Sequence, residues 1–290
     1  MRQRVRLKGL MYLKSRILTG IVGAALALVV LLLLPPLVLN IAMAGICAIA
    51  MYEVFVVTKM VNHRGLETAA VLFALLAPFL VMLRSMPSAM VVLGFVVLLA
   101  VIQVRYHDTL PVERTAFVFL LSVLVSISFS CLAYLRTTSH RDERDGLFYV
   151  FLALIIPWMC DIGAYFIGTF FGRHKLCPAI SPKKTVEGLI GGIVVSVGSS
   201  VLGAYLYQVL ALGDSAYVSL WQIALLALLC APLSVLGDLF ASIIKRQSGV
   251  KDFGHIMPGH GGIMDRFDSM MFVLPVLYIL VQYVPLVYPL

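Results

Sequence analysis

Residues 147–172 read LFYVFLALIIPWMCDIGAYFIGTFFG. The run from Leu147 to Phe171 is long enough to cross a bilayer, since a spanning helix needs about 20 apolar residues. Deep inside it sits one carboxylate, Asp161. A charge at the centre of a span costs about 2.5–3.5 kcal/mol on insertion scales, and residues of this kind usually mark function. Asp161, Tyr165, Gly168 and Gly172 recur at i, i+4, i+7 and i+11, which is one helix face. Gly168 and Gly172 have the spacing that lets two helices approach closely. The plainer reading of Asp161 is a hydrogen bond to a neighbouring helix.

Working outward from this span, the same apolar texture covers the chain. Of its 290 residues 61% are hydrophobic and 12% charged, with a mean hydropathy of +1.02. Soluble domains carry about 25% charged residues, so lipid is the main solvent here. Nine spans are expected: 17–34, 37–57, 68–83, 88–104, 116–135, 147–171, 187–211, 219–241 and 269–288. They must be helices, because an isolated strand leaves its backbone unsatisfied in hydrocarbon. The short alternating segments of a membrane barrel are not seen. The fold class is therefore all-α: a polytopic membrane helix bundle of about nine transmembrane helices. Residues 2–16 carry six Lys and Arg ahead of the run Ile17 to Leu34. That run is longer than the 7–15 residues usual in the apolar core of a signal peptide, so it reads as a retained first span.

Lys and Arg set the orientation. With the N-terminus in the cytoplasm, Arg84, Arg136, Arg141 and Arg144 are all of the 22 Lys and Arg that fall on the outer side. Positive residues collect on the cytoplasmic side, which fixes this topology. The formal charge of +8 therefore reflects topology and gives no nucleic-acid signal. The five cysteines show no C-x-x-C spacing and read as small buried apolar groups.

Two further constellations fall on the cytoplasmic side. Ser181-Pro-Lys183-Lys184-Thr185-Val-Glu187-Gly188 precedes the seventh span. Ser181 or Thr185 can cap that helix, and two lysines beside free helix N–H groups make an anion site. The bland alternative is a basic loop flanking the membrane. The next runs from Asp238, Ser242, Lys245 and Arg246 through Lys251-Asp252 to His260-Gly261-Gly262-Ile-Met-Asp265-Arg266-Phe-Asp268. Asp238, Ser242 and Lys245 share a helix face. Asp265 and Asp268 would sit together on a helix. Carboxylates among lysines and arginines suit a divalent ion that bridges phosphate oxygens. His260 reads either as a phosphate contact or as an ordinary loop residue.

At these residues the sequence resembles the phosphatidate cytidylyltransferase family, also called CDP-diacylglycerol synthase. The family pattern is Ser-x-apolar-Lys-Arg, then Lys-Asp, then His-Gly-Gly-x-x-Asp-Arg-x-Asp. Here it stands as Ser242-Ile-Ile-Lys245-Arg246, Lys251-Asp252 and His260-Gly261-Gly262-Ile-Met-Asp265-Arg266-Phe-Asp268. The match covers about residues 150–270, and Met257 departs conservatively from it. The resemblance implies transfer of the cytidylyl group of CTP to phosphatidic acid, giving CDP-diacylglycerol and pyrophosphate. It also implies Mg²⁺, a cytoplasmic-face site and a homodimer in the inner membrane, with membrane lipids and no nucleic acid as partners.

The resemblance assigns the roles, by position in the motif. Lys245, Arg246, Asp265, Arg266 and Asp268 are expected to be catalytic. Ser181, Lys183, Lys184, Thr185, Lys251, His260, Gly261 and Gly262 are expected to bind substrate. Asp238, Asp265 and Asp268 are expected to hold the metal. Asp161 either joins a second cation or holds Lys183 or Lys184. Residues 1–140 form scaffold helices with possible dimer contacts, and 141–290 the catalytic region, with cytoplasmic loops 172–186 and 242–268. The rival readings are a CTP-using lipid kinase, transfer to an isoprenoid lipid, and a transporter with a midplane site.

Overall fold

The computed structural model describes residues 29–30, 34–82, 86–138, 143–254, 256 and 261–289. The expected first span, 17–34, lies outside these apart from residues 29, 30 and 34. The chain divides into two compact units. One comprises residues up to Ser126 together with Ser248–Phe267, and the other Ile127–Gln247 with Asp268–Leu290.

In the first unit, helix α1 (Pro36–Met51) opens with proline in its first turn, where the missing N–H costs nothing. It continues as a π-helical turn, Tyr52–Val57. Helix α2 (Arg64–Leu76) is capped by the His63 side chain, which accepts from Leu66 N at 3.3 Å. The Glu67 carboxylate returns to His63 N at 3.2 Å, so two end N–H groups are satisfied reciprocally. Helix α2 tightens into a 3-10 segment, Ala77–Met82, before helix α3 (Met86–Arg105). Phe73 and Phe95 stack at 4.3 Å between α2 and α3. Helix α4 (Val112–Thr137) begins in this unit, and the boundary between the units falls within it.

The second unit is organised by helices α5 (Glu143–Phe171), α6 (Val186–Tyr207) and α7 (Leu220–Gln247). Small residues set the α5–α6 approach. A methyl at Gly192 would press on the Cys160 carbonyl, and one at Gly188 on the Ala164 carbonyl. Without side chains at these positions the backbones close together, as small residues permit between membrane helices. Ser196 Oγ then donates to the Ile156 carbonyl at 2.8 Å. A π-turn, Gln208–Leu212, ends α6.

Two short antiparallel strand pairs depart from a purely helical expectation. Strands β1 (Lys175–Cys177) and β2 (Ser181–Thr185) pair antiparallel in the loop before α6. Strand β3 (Ala216–Val218) pairs with β4 (Val287–Pro289) near the chain end. The expected span 269–288 is broken accordingly. Helix α8 (Met264–Phe267) runs into a 3-10 turn, Asp268–Met270, and helix α9 covers Val273–Tyr283. At 1.5 Å per residue α9 is too short to cross about 30 Å of hydrocarbon alone.

Among the described residues, five helical segments are long and apolar enough to cross a membrane: Pro36–Val57, Val112–Thr137, Asp145–Phe171, Val186–Leu212 and Leu220–Gln247. Two shorter apolar helices, Ala89–Arg105 and Val273–Tyr283, accompany them. The all-α membrane class stands on these helices.

Candidate active site

The second unit holds a cavity of about 660 Å³ where α5, the β1–β2 hairpin and α7 meet. Asp161 and Tyr165 reach it from α5, Lys175, Lys183, Lys184 and Thr185 from the hairpin, and Asp238 from α7. Residues far apart in sequence are brought together here because the glycines let α5 and α6 close, and the hairpin turns its lysines toward the gap. Thr185 Oγ1 accepts from Gly188 N at 3.1 Å, so Thr185, the other expected choice being Ser181, caps α6. Ser181 starts β2 and pairs with Cys177.

Two carboxylates and three lysines line the cavity. Lys184 Nζ lies 2.7 Å from Asp238 Oδ2, with both side chains mostly shielded from solvent. Lys184 also donates to the Val235 carbonyl at 3.5 Å. Asp238 Oδ1 accepts from Ser242 Oγ at 3.2 Å, one turn on, as their shared face predicts. Asp161 lies within electrostatic reach of Asp238 and Lys184. Lys183 is exposed and faces the cavity. Such a lining can take a polyanion together with a divalent cation.

Lys245 and Asp268 form a second pair in this unit, 3.4 Å apart and nearly buried. Asp268 Oδ1 accepts from Ser269 N at 2.9 Å. A methyl at Gly237 would strike the Asp268 carbonyl, so only glycine admits this turn against α7. Arg246 is exposed in the last turn of α7, where a cation favours the helix dipole.

The remaining motif residues belong to the first unit. Asp265 Oδ2 accepts from Phe253 N at 2.9 Å and from Gly262 N at 3.0 Å. The carboxylate thus ties two ends of one loop. Gly261 adopts φ +84°, which L side chains rarely take. Lys251, Asp252 and Arg266 are exposed. His260 lies outside the described residues.

Sequence reasoning missed three participants. Lys175 lines the cavity but stands outside the quoted motifs, and Thr169 lines it from within the quoted stretch 147–172, where it was given no part. Glu53 is fully buried in the first unit. It interrupts the apolar run 37–57 much as Asp161 interrupts 147–171, so the rule applied to one carboxylate would have found the other.

The donor set fits Mg²⁺. That ion is typically held by one or two carboxylates, with substrate phosphates and water completing its shell. Asp161 and Asp238 line the same cavity and sense one another's charge. Among the described residues no three His, Cys, Asp or Glu side chains gather, so an all-protein metal cage is not what they resemble.

Long apolar helices around a lysine-lined cavity with paired carboxylates define a polytopic membrane protein equipped to handle phosphates. A model of the cytidylyltransferase family matches residues 14–284, and the chain belongs to that family. It is 35% identical over 273 residues to a phosphatidate cytidylyltransferase of Bacillus subtilis (strain 168), covering 92% of this chain and 97% of the relative. It is 36% identical over 277 residues to one of Staphylococcus aureus (strain COL), covering 92% and 98%. A protein of the same description from Staphylococcus saprophyticus is 40% identical over 174 residues, 60% of this chain and 64% of the relative.

Proposed function

We propose that this chain transfers the cytidylyl group of CTP to phosphatidic acid, releasing CDP-diacylglycerol and pyrophosphate. The observation that carries the reading is the cavity in which Lys175, Lys183 and Lys184 face Asp161 and Asp238. Both substrates are polyanions, since a phosphate monoester carries about −1.5 to −2 charge at neutral pH. Their mutual repulsion must be offset before they can meet.

In the reaction a phosphate oxygen of phosphatidate attacks the α-phosphorus of CTP. The bond from that phosphorus to the bridging oxygen breaks, and pyrophosphate leaves with the electron pair. The attacking oxygen is already ionised, so no strong general base is needed. Lys183 and Lys175 bind phosphate oxygens and orient the triphosphate. The Lys184–Asp238 pair holds its lysine in a fixed position, which favours a preorganised field over one that must rearrange. Asp161 and Asp238 would hold Mg²⁺; Asp265 and Asp268 are assigned to the transfer by the motif resemblance alone. When bound, the ion neutralises phosphate charge and steadies the leaving oxygen.

The topology belongs to the same proposal: about nine spans, a cytoplasmic N-terminus and a site facing the cytoplasm of the inner membrane. Positive residues collect on that side, and CTP is found there. The acyl chains stay in lipid and enter between helices. The family resemblance adds a homodimer, which crosslinking in native membranes tests.

The direct test is product analysis. Purified protein in lipid micelles receives CTP, phosphatidic acid and Mg²⁺. CDP-diacylglycerol and pyrophosphate should form in equal amounts. Free CDP with a further-phosphorylated lipid would make the chain a kinase instead.

A further inference from the structure

We propose that Glu53, in the N-terminal helices, is a positioning residue for the transfer reaction: it holds the Gly261–Arg266 loop in its working conformation. The proposal rests on the assignment of Asp265 to the transfer site. Glu53 is fully buried in an apolar segment, where a carboxylate is costly unless well satisfied. Its two oxygens divide the work. Oε1 accepts from Ile263 N at 3.1 Å and Oε2 from Met264 N at 3.0 Å. The residues immediately after these two amides are Asp265 and Arg266.

The surroundings are shaped to that carboxylate. A methyl on Gly254 or on Gly262 would collide with it, so both glycines leave room for Glu53 and for nothing larger. Asp265 Oδ2 holds the amides of Phe253 and Gly262. Two carboxylates therefore fix four backbone amides of a loop whose Gly261-Gly262 step has no side chains to pack. Apolar contact cannot set the conformation of such a step, whereas charge-assisted hydrogen bonds are directional and strong.

The backbone at Glu53 is also irregular. It lies in the π-turn Tyr52–Val57, a rare form that recurs at functional sites. The chain then passes through Lys59 at φ 57° and Asn62 at φ 50°, both in the left-handed region that non-glycine residues seldom adopt. An ordinary scaffold helix needs neither device. Residues ahead of 140 thus contribute to the reaction through Glu53, which touches no substrate and acts through Asp265 and Arg266.

The experiment compares wild type, Glu53→Gln, Glu53→Asp and Asp265→Asn in lipid micelles. Turnover and KM are measured per folded molecule, and amide hydrogen exchange is followed over residues 253–267 and over the helices. Glutamine keeps the shape but turns its carboxamide NH₂, a donor, toward a backbone N–H donor. Loop exchange should rise about tenfold or more while the helices exchange as in wild type. Turnover should fall about 100-fold, the scale of a misplaced catalytic group, with KM for phosphatidate unchanged. Glu53→Asp keeps the charge but reaches one amide, and should fall between; it carries the test if Glu53→Gln does not fold. Wild-type turnover and loop exchange in Glu53→Gln, beside an inactive Asp265→Asn, would overturn the proposal and leave the transfer reading standing. Activity lost only in step with folded protein would overturn it as well. Full activity in Asp265→Asn would bring down the transfer-site assignment and this proposal together.

Discussion

Lys184 on the β1–β2 hairpin and Asp238 on α7, 54 positions apart in the numbering, meet with Nζ and Oδ2 2.7 Å apart. Breaking a pair of this kind leaves one charge without its partner in a mostly shielded place. It also removes one of the two carboxylates proposed to hold Mg²⁺. Asp238→Asn is expected to lower turnover about 100- to 1,000-fold, the loss typical when one preorganised electrostatic contact is removed. Specific activity of the monodisperse protein in lipid micelles checks it. Retained activity would remove Asp238 from the site.

The two adjacent lysines should behave differently. Lys183 is exposed at the cavity, whereas Lys184 is paired with Asp238. Lys183→Ala should raise KM for CTP about tenfold, the scale of one lost charge-assisted contact, with little change in thermal stability. Lys184→Ala should lower both turnover and melting temperature. Steady-state kinetics and thermal melting of both variants separate the roles. Identical behaviour would argue against a distinct part for the Lys184–Asp238 pair.

Asp265 combines a proposed chemical role with an observed structural one. Its Oδ2 accepts two backbone amides. Asparagine retains an oxygen that can accept them, so Asp265→Asn should lose turnover yet keep the wild-type melting temperature. Asp265→Ala should also destabilise, by about 1–3 kcal/mol for each amide left without a partner and without water. Thermal unfolding of the two variants, run beside the activity assay, distinguishes the contributions.

Helix packing offers a paired test away from the chemistry. Gly192→Ala would drive a methyl into the Cys160 carbonyl, while nothing lies within 4 Å of a methyl at Gly198 on the same helix. Overpacking costs about 1–3 kcal/mol, so Gly192→Ala should melt lower. Gly198→Ala should match wild type or exceed it slightly. Both are read by thermal melting in detergent.

Much of the site was legible because charge in an apolar run is conspicuous. Asp161 stood out in 147–171 for that reason, and Asp238 and Ser242, placed on one helix face by their i, i+4 spacing, are joined by a hydrogen bond. Glu53 carries the same signal near the end of an expected span, but its partners lie about 210 residues on, which no local pattern reveals. The β1–β2 hairpin escaped notice because Ser181 to Thr185 lacks the apolar alternation of a half-buried strand. The apolar stretch 269–288 read as one span, yet it forms a 3-10 turn, a short helix and a strand. Hydropathy reports the solvent a segment prefers and says little about where its hydrogen bonds end.

Cytidylyl transfer at the lysine-lined cavity is tested most directly with CTP labelled separately in the cytosine and in the γ-phosphate. Wild-type protein and Asp238→Asn receive each label with phosphatidic acid and Mg²⁺. Cytosine label should enter the lipid while the γ-label leaves as pyrophosphate, and both transfers should collapse in the variant. γ-label in the lipid with free CDP, or equal transfer by the variant, would contradict it.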